Sequence, residues 1–183
     1  SRGNTTDYVH TGVIEHFDRV SVAGAKDSAA ELQPFEFGWF GFFTHAYDNR
    51  ATRPREMEYA WSKALAYGAA MSLETRKSAL DANGRTREIF SIVRNWEELK
   101  LKGYFPERIR EQLKAPGKEF ALDRTPDGDW QVLPLEYSPD RYARAGDAWT
   151  FQNPYQPQPP RITLEAMPVL AGHGDPGNTV LLD

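Results

Sequence analysis

The run Phe37-Gly38-Trp39-Phe40-Gly41-Phe42-Phe43 limits the fold more than any other stretch. It is almost continuously apolar, and such runs belong to strands covered on both faces, as in parallel sheets flanked by helices. Its two glycines would let a neighbouring backbone or side chain approach closely. A lone strand of this kind would hold a large apolar surface in water, so it needs partners in the fold.

The residues that follow supply some of them. A polar loop, Thr44-His45-Ala46-Tyr47-Asp48-Asn49-Arg50-Ala51, leads into a helix start. Thr52 suits an N-cap, Pro54 the first turn, and Glu56 and Glu58 the positive helix end. Met57, Ala60, Trp61, Ala64 and Leu65 recur at helical spacing, and Gly68 stops the helix. Ala69-Ala70-Met71-Ser72-Leu73 reads as a short strand ending at Glu74. After a polar loop, a helical region runs from Arg85 to about Leu101, with Ile89, Ile92, Val93 and Trp96 on one face. Gly103-Tyr104-Phe105-Pro106 breaks it, and Glu107 to Lys114 forms a last turn or two. Strand, helix, strand, helix is the order of a parallel α/β fold. Upstream, the apolar stretch from Val13 to Val22 offers one more strand, over Val13–Phe17 or Arg19–Val22.

The tail differs in character. Ten of the 13 prolines lie between Pro116 and Pro176, a density that forbids long helices and permits short edge strands and loops. Glu119-Phe120-Ala121-Leu122 and Trp130-Gln131-Val132-Leu133 flank Thr125-Pro126-Asp127-Gly128-Asp129, which reads as a hairpin turn. Ile162-Thr163-Leu164-Glu165-Ala166 alternates like another strand. The tail is therefore expected to form a small antiparallel β unit.

Composition removes whole classes of function. The chain of 183 residues carries a formal charge of −4, which argues against a nucleic-acid binder that works by neutralising phosphates. It has no cysteine, so disulfides, thiolate metal sites and a cysteine nucleophile are out. Aromatic residues make up 13%, which fits a packed core, a sugar-stacking surface, or both. No apolar run is long enough for a membrane-spanning helix. The chain opens without Met and ends at Val180-Leu181-Leu182-Asp183, which reads like the start of a strand. Both ends are expected to be cuts in a longer polypeptide.

Three segments carry a resemblance: Glu36-Phe37-Gly38-Trp39-Phe40-Gly41; then Ala51 to Tyr59; then Lys63-Ala64-Leu65-Ala66-Tyr67-Gly68 with Ser72-Leu73-Glu74. Together, from Phe35 to about Leu113, they resemble the closing part of a (β/α)8 barrel in large bacterial glycoside-hydrolase-like proteins with an appended β-sandwich. The resemblance implies an α/β fold: the last βα units of a TIM-type barrel over residues 1–115, then a β-rich accessory region and linker over 116–183. It implies glycan hydrolysis without a cofactor, a carbohydrate substrate, and an extracellular or periplasmic location. The rest of the barrel would come from the same polypeptide or a second chain, since two βα units cannot close one. The alternative is a non-catalytic carbohydrate-binding or scaffold portion of a larger protein, and a third reading is a self-contained α+β domain with an interaction role.

In barrels the catalytic groups sit at the C-terminal ends of strands and in the loops that follow. That rule selects Glu74 and the Thr44–Arg50 loop. Glycoside hydrolysis uses two carboxylates, and Glu74 and Asp48 are the pair placed on that face; the competing role for Glu74 is an ion pair with Arg76 or a rim arginine. His45 would hydrogen-bond a sugar hydroxyl or pair with Asp48, or else hold its own loop. Tyr47, Arg50 and Trp39 are candidate substrate contacts, with core packing as the rival role for Trp39. Glu36, at the other strand end, is the competing carboxylate. Glu15, His16 and Asp18 form a further polar cluster with zinc-compatible ligands in an unfamiliar spacing. Asp123, Asp127 and Asp129 lack the calcium-loop pattern and read as a turn. Gly172 to Asn178 is glycine-rich without the Lys-Ser/Thr of a phosphate loop.

Overall fold

A computed structural model describes residues 14–15, 17–24, 26, 36–41, 52–137, 146–158, 160 and 162. His16, His45, Tyr47, Asp48, Arg50, the Gly172–Asn178 segment and all but the first residue of the expected Ile162–Ala166 strand lie outside these, and Trp39 is described in its backbone alone. The fold is mixed α/β with small sheets. The chain divides into two compact units, Ser1–Thr150 and Phe151–Asp183.

In the first unit a π-helical turn, Phe17–Ser21, precedes strand β1 (Glu36–Gly41) and helix α1 (Pro54–Tyr67). Strand β2 (Ala70–Glu74) and helices α2 (Lys77–Ala82), α3 (Thr86–Leu101) and α4 (Glu107–Leu113) follow, and then β3 (Glu119–Arg124) and β4 (Trp130–Leu135). β1 and β2 pair in parallel across α1, as the strand–helix–strand order requires. β3 and β4 form the expected antiparallel hairpin. Its turn closes through Thr125 N–H on the Asp129 carbonyl (2.9 Å), with Gly128 at φ 88°.

The apolar stretch around Phe17 is helical and not a strand. Ile14, Phe17 and Val22 pack into the core, at spacings that one side of a helix can bury. Phe17 meets the rings of Phe37 and Tyr59 edge-on, with centroids 4.9 and 6.1 Å away.

The role of Gly38 also differs from expectation. A Cβ there would meet nothing within 4 Å, and its φ is +76°, so close approach is not the reason for glycine. Between Glu36↔Ala70 and Trp39↔Ser72, β1 advances three residues while β2 advances two. This bulge resets the alternation of side chains. Phe37 and Phe40, three apart, would otherwise point to opposite faces, yet both reach α1: Phe37 packs on Tyr67 and Phe40 on Trp61, centroids 5.7 and 6.2 Å apart.

α1 is the centre of the unit. Of its residues, Met57 to Ala66 are all buried, so its polar side chains need internal partners. The N-cap is Arg53 rather than Thr52; its N–H donates to Glu56 Oε2 at 3.0 Å, half of a capping box. The carbonyl of Thr52 accepts from Asn83 Nδ2 at 2.9 Å. At the other end Gly68 takes the left-handed conformation, φ 64°, and Ala69 N–H reaches back to Ala64 at 2.8 Å, a Schellman-type stop. α3 lays Ile89, Trp96 and Leu99 into the core, and Lys100 Nζ donates to the Ala69 carbonyl at 2.8 Å. The C-terminal end of α3 therefore sits at the N-terminal edge of β2.

The second unit shows no regular element among its described residues. Asn153 organises a local turn there, accepting from Tyr155 N–H and donating to the Gln156 carbonyl.

Candidate functional site

β2 alternates cleanly. Met71 and Leu73 are half-buried and pack on the core, whereas Ala70, Ser72 and Glu74 are exposed. Among the described residues, one side of β2 is therefore seated on the core and the other is exposed. Glu74 closes β2 on the open face, and its register partner in β1 is Gly41, which carries no side chain beside it. The chain leaves β1 at that same edge and enters the segment that holds His45, Tyr47, Asp48 and Arg50.

Glu74 makes no ion pair with Arg76; among the described residues its carboxylate has no hydrogen-bonding or charged partner. Glu36 is exposed at the opposite edge, paired in register with Ala70. Trp39 stands opposite Ser72 in the register.

A second set of polar groups, unseen in the sequence, lies behind the sheet. Tyr59 donates its hydroxyl to both Asp18 oxygens at 2.7 Å, and Gly117 N–H donates to Asp18 Oδ2 at 2.8 Å and to the Tyr59 oxygen at 3.2 Å. Burial, then the bond to Asp18, pushes the Tyr59 hydroxyl far above its ordinary pKa. Lys63, fully buried, donates to the carbonyls of Leu113 and Ala115, and its ammonium lies 4.9 Å from the Tyr59 ring centroid. Burial lowers its pKa to about 8, against a smaller upward pull from Asp18. These groups join the N-terminal π-turn, α1 and the end of α4, and each has protein partners; Asp18, a member of the polar cluster in the sequence, is used here as a tether. The signal in the sequence was a lysine inside an apolar helical pattern.

Among the described residues no group of three or more His, Asp or Glu side chains is arranged to hold a metal ion, and no helix is long and apolar enough to cross a membrane. No family model, curated protein or solved structure matches the chain.

Proposed function

We propose that β1, α1 and β2 are closing units of a (β/α)8 barrel that hydrolyses a glycan, with Glu74 as one of its two reacting carboxylates. The observation that carries this reading is the pairing Gly41↔Glu74: an exposed carboxylate ends a parallel strand at its C-terminal end, where barrel enzymes keep their catalytic groups. The open face of Ala70, Ser72 and Glu74 would become the barrel interior once further strands joined the sheet edges. Among the described residues the parallel sheet has two strands, and further strands at its edges would cover the open face.

In this reading Glu74 and Asp48 divide the roles of acid/base and nucleophile or base. His45 bonds a sugar hydroxyl or Asp48, and Tyr47, Arg50 and Trp39 contact the substrate. The β3–β4 hairpin begins the β-rich region that follows the barrel. The test is turnover on a panel of glycans by the full-length protein and its Glu74→Gln variant. Hydrolysis by the parent and loss in the variant are expected. Unchanged turnover would remove Glu74 from the mechanism, and sugar binding without any turnover would favour the non-catalytic carbohydrate-binding reading.

A further inference from the structure

We propose that the cleft between the C-terminal half of α3 and the β3–β4 hairpin binds a saccharide bearing a carboxylate, at a site separate from Glu74. The cleft holds about 340 Å³, within the range of small-ligand pockets. Because Lys100 reaches Ala69, this end of α3 lies at the N-terminal edge of β2. Glu74 is at the other edge, about 15 Å away along a five-residue strand. The inference stands on the cleft alone and does not need the hydrolase reading.

The walls are fixed by contacts of their own. Buried Leu99 lies at the base. Tyr104, just past the end of α3, accepts from Trp130 N–H at 3.0 Å, and its hydroxyl is 3.5 Å from Asp129 Oδ1. The helix end is thereby tied to the hairpin. Arg124 and Trp130 are register partners; the guanidinium lies 3.6 Å over the indole, and Nη1 donates to the Gly128 carbonyl at 2.6 Å.

The lining selects the ligand. Arg94, Lys102 and Arg124 face the cleft with Glu98 and Asp129, three cations against two carboxylates. Glu98 is already paired with Arg94 at 2.9 Å and with Lys102 at 3.9 Å. A guanidinium stacked on an aromatic ring still presents its in-plane N–H edge, which matches a carboxylate. Asn95 and Asp129 offer both a donor and acceptors for hydroxyl groups, and the half-exposed ring of Tyr104 suits the apolar face of a sugar. One surplus positive charge fits a monoanionic sugar acid. A doubly charged phosphate would face the two carboxylates at close range.

Calorimetric titration of the full chain at low ionic strength tests this with three probes: methyl galacturonoside, which carries one carboxylate, the neutral methyl galactoside, and inorganic phosphate. Saturable binding of the galacturonate probe is expected, weaker by on the order of tenfold for the neutral sugar and in Arg124→Gln. Lys102→Gln should also weaken it, and Lys77→Gln, which alters an exposed lysine outside the cleft, should not, with circular dichroism verifying that each variant is folded. No saturable binding, equal affinity for the neutral sugar, tighter binding of phosphate, or wild-type affinity in both folded cation variants would overturn the assignment.

Discussion

The ammonium of Lys63 donates to the carbonyl of Leu113 at 2.8 Å, across fifty residues of sequence. With the Ala115 carbonyl it ties the end of α4 to the centre of α1. A lysine with no exposed surface makes folding sensitive to pH. Its folded pKa of about 8 lies below the ordinary 10.5, so between these values the unfolded chain binds more protons and stability rises with pH. Tyr59 acts in the opposite sense above its ordinary 10.0, because the folded state resists ionisation there.

Denaturant unfolding should therefore show stability climbing from about pH 8 to pH 10, by at most about 1.4 kcal/mol per pH unit. The rise should flatten or reverse above pH 10, where unfolded tyrosine ionises. Lys63→Met should abolish the climb while Tyr59 still limits the alkaline side. An identical climb in Lys63→Met would show that other groups produce it.

The bulge at Gly38 predicts a backbone effect without a steric one. Gly38→Ala should destabilise by about 1–2 kcal/mol, the cost of a left-handed conformation for an L-residue, since the added Cβ meets nothing. Gly38→Asn should cost less, because asparagine tolerates that conformation better. Thermal denaturation of the two variants ranks them directly; equal stability of Gly38→Ala and the parent would contradict the bulge.

Arg55 holds the hairpin to α1. It meets Glu119 through two bonds, 2.8 and 2.6 Å, and its guanidinium lies 3.6 Å from the Tyr137 ring centroid. Arg55→Ala should cost about 2 kcal/mol, as expected for a paired, largely covered charge, and should raise hydrogen exchange in β3. Lys77→Ala, which breaks an exposed pair with Asp81, should change stability by no more than about 0.5 kcal/mol. Comparable losses in the two variants would refute the distinction.

What could be read from the sequence was local. Pro54, Gly68 and the Thr125–Asp129 turn state their conformations in their own chemistry, and α1, β2, α3 and the hairpin follow from them. The stretch around Phe17 does not declare its helical state in sequence, because a short apolar run suits a strand and a buried helix equally. α2 was missed because Ala79 is its one buried residue, so it leaves no apolar period. The strand from Phe37 was expected to continue to Phe43, and its described extent ends at Gly41. The Lys63–Leu113 contact and the cleft join residues from elements distant in sequence, and no local pattern announces either. A rule about strand ends selects Glu74, and the structure places that residue at the end of β2 opposite Gly41.

The proposed hydrolase reading is tested most directly by comparing the parent with Glu74→Gln and Glu36→Gln on a panel of glycans. The two carboxylates cap opposite edges of the same parallel pair. On the proposed reading, Glu74→Gln lowers kcat by about two to four orders of magnitude, with Glu36→Gln close to the parent. A fall confined to Glu36→Gln, or no fall in Glu74→Gln, would contradict a catalytic mouth at the Gly41–Glu74 edge.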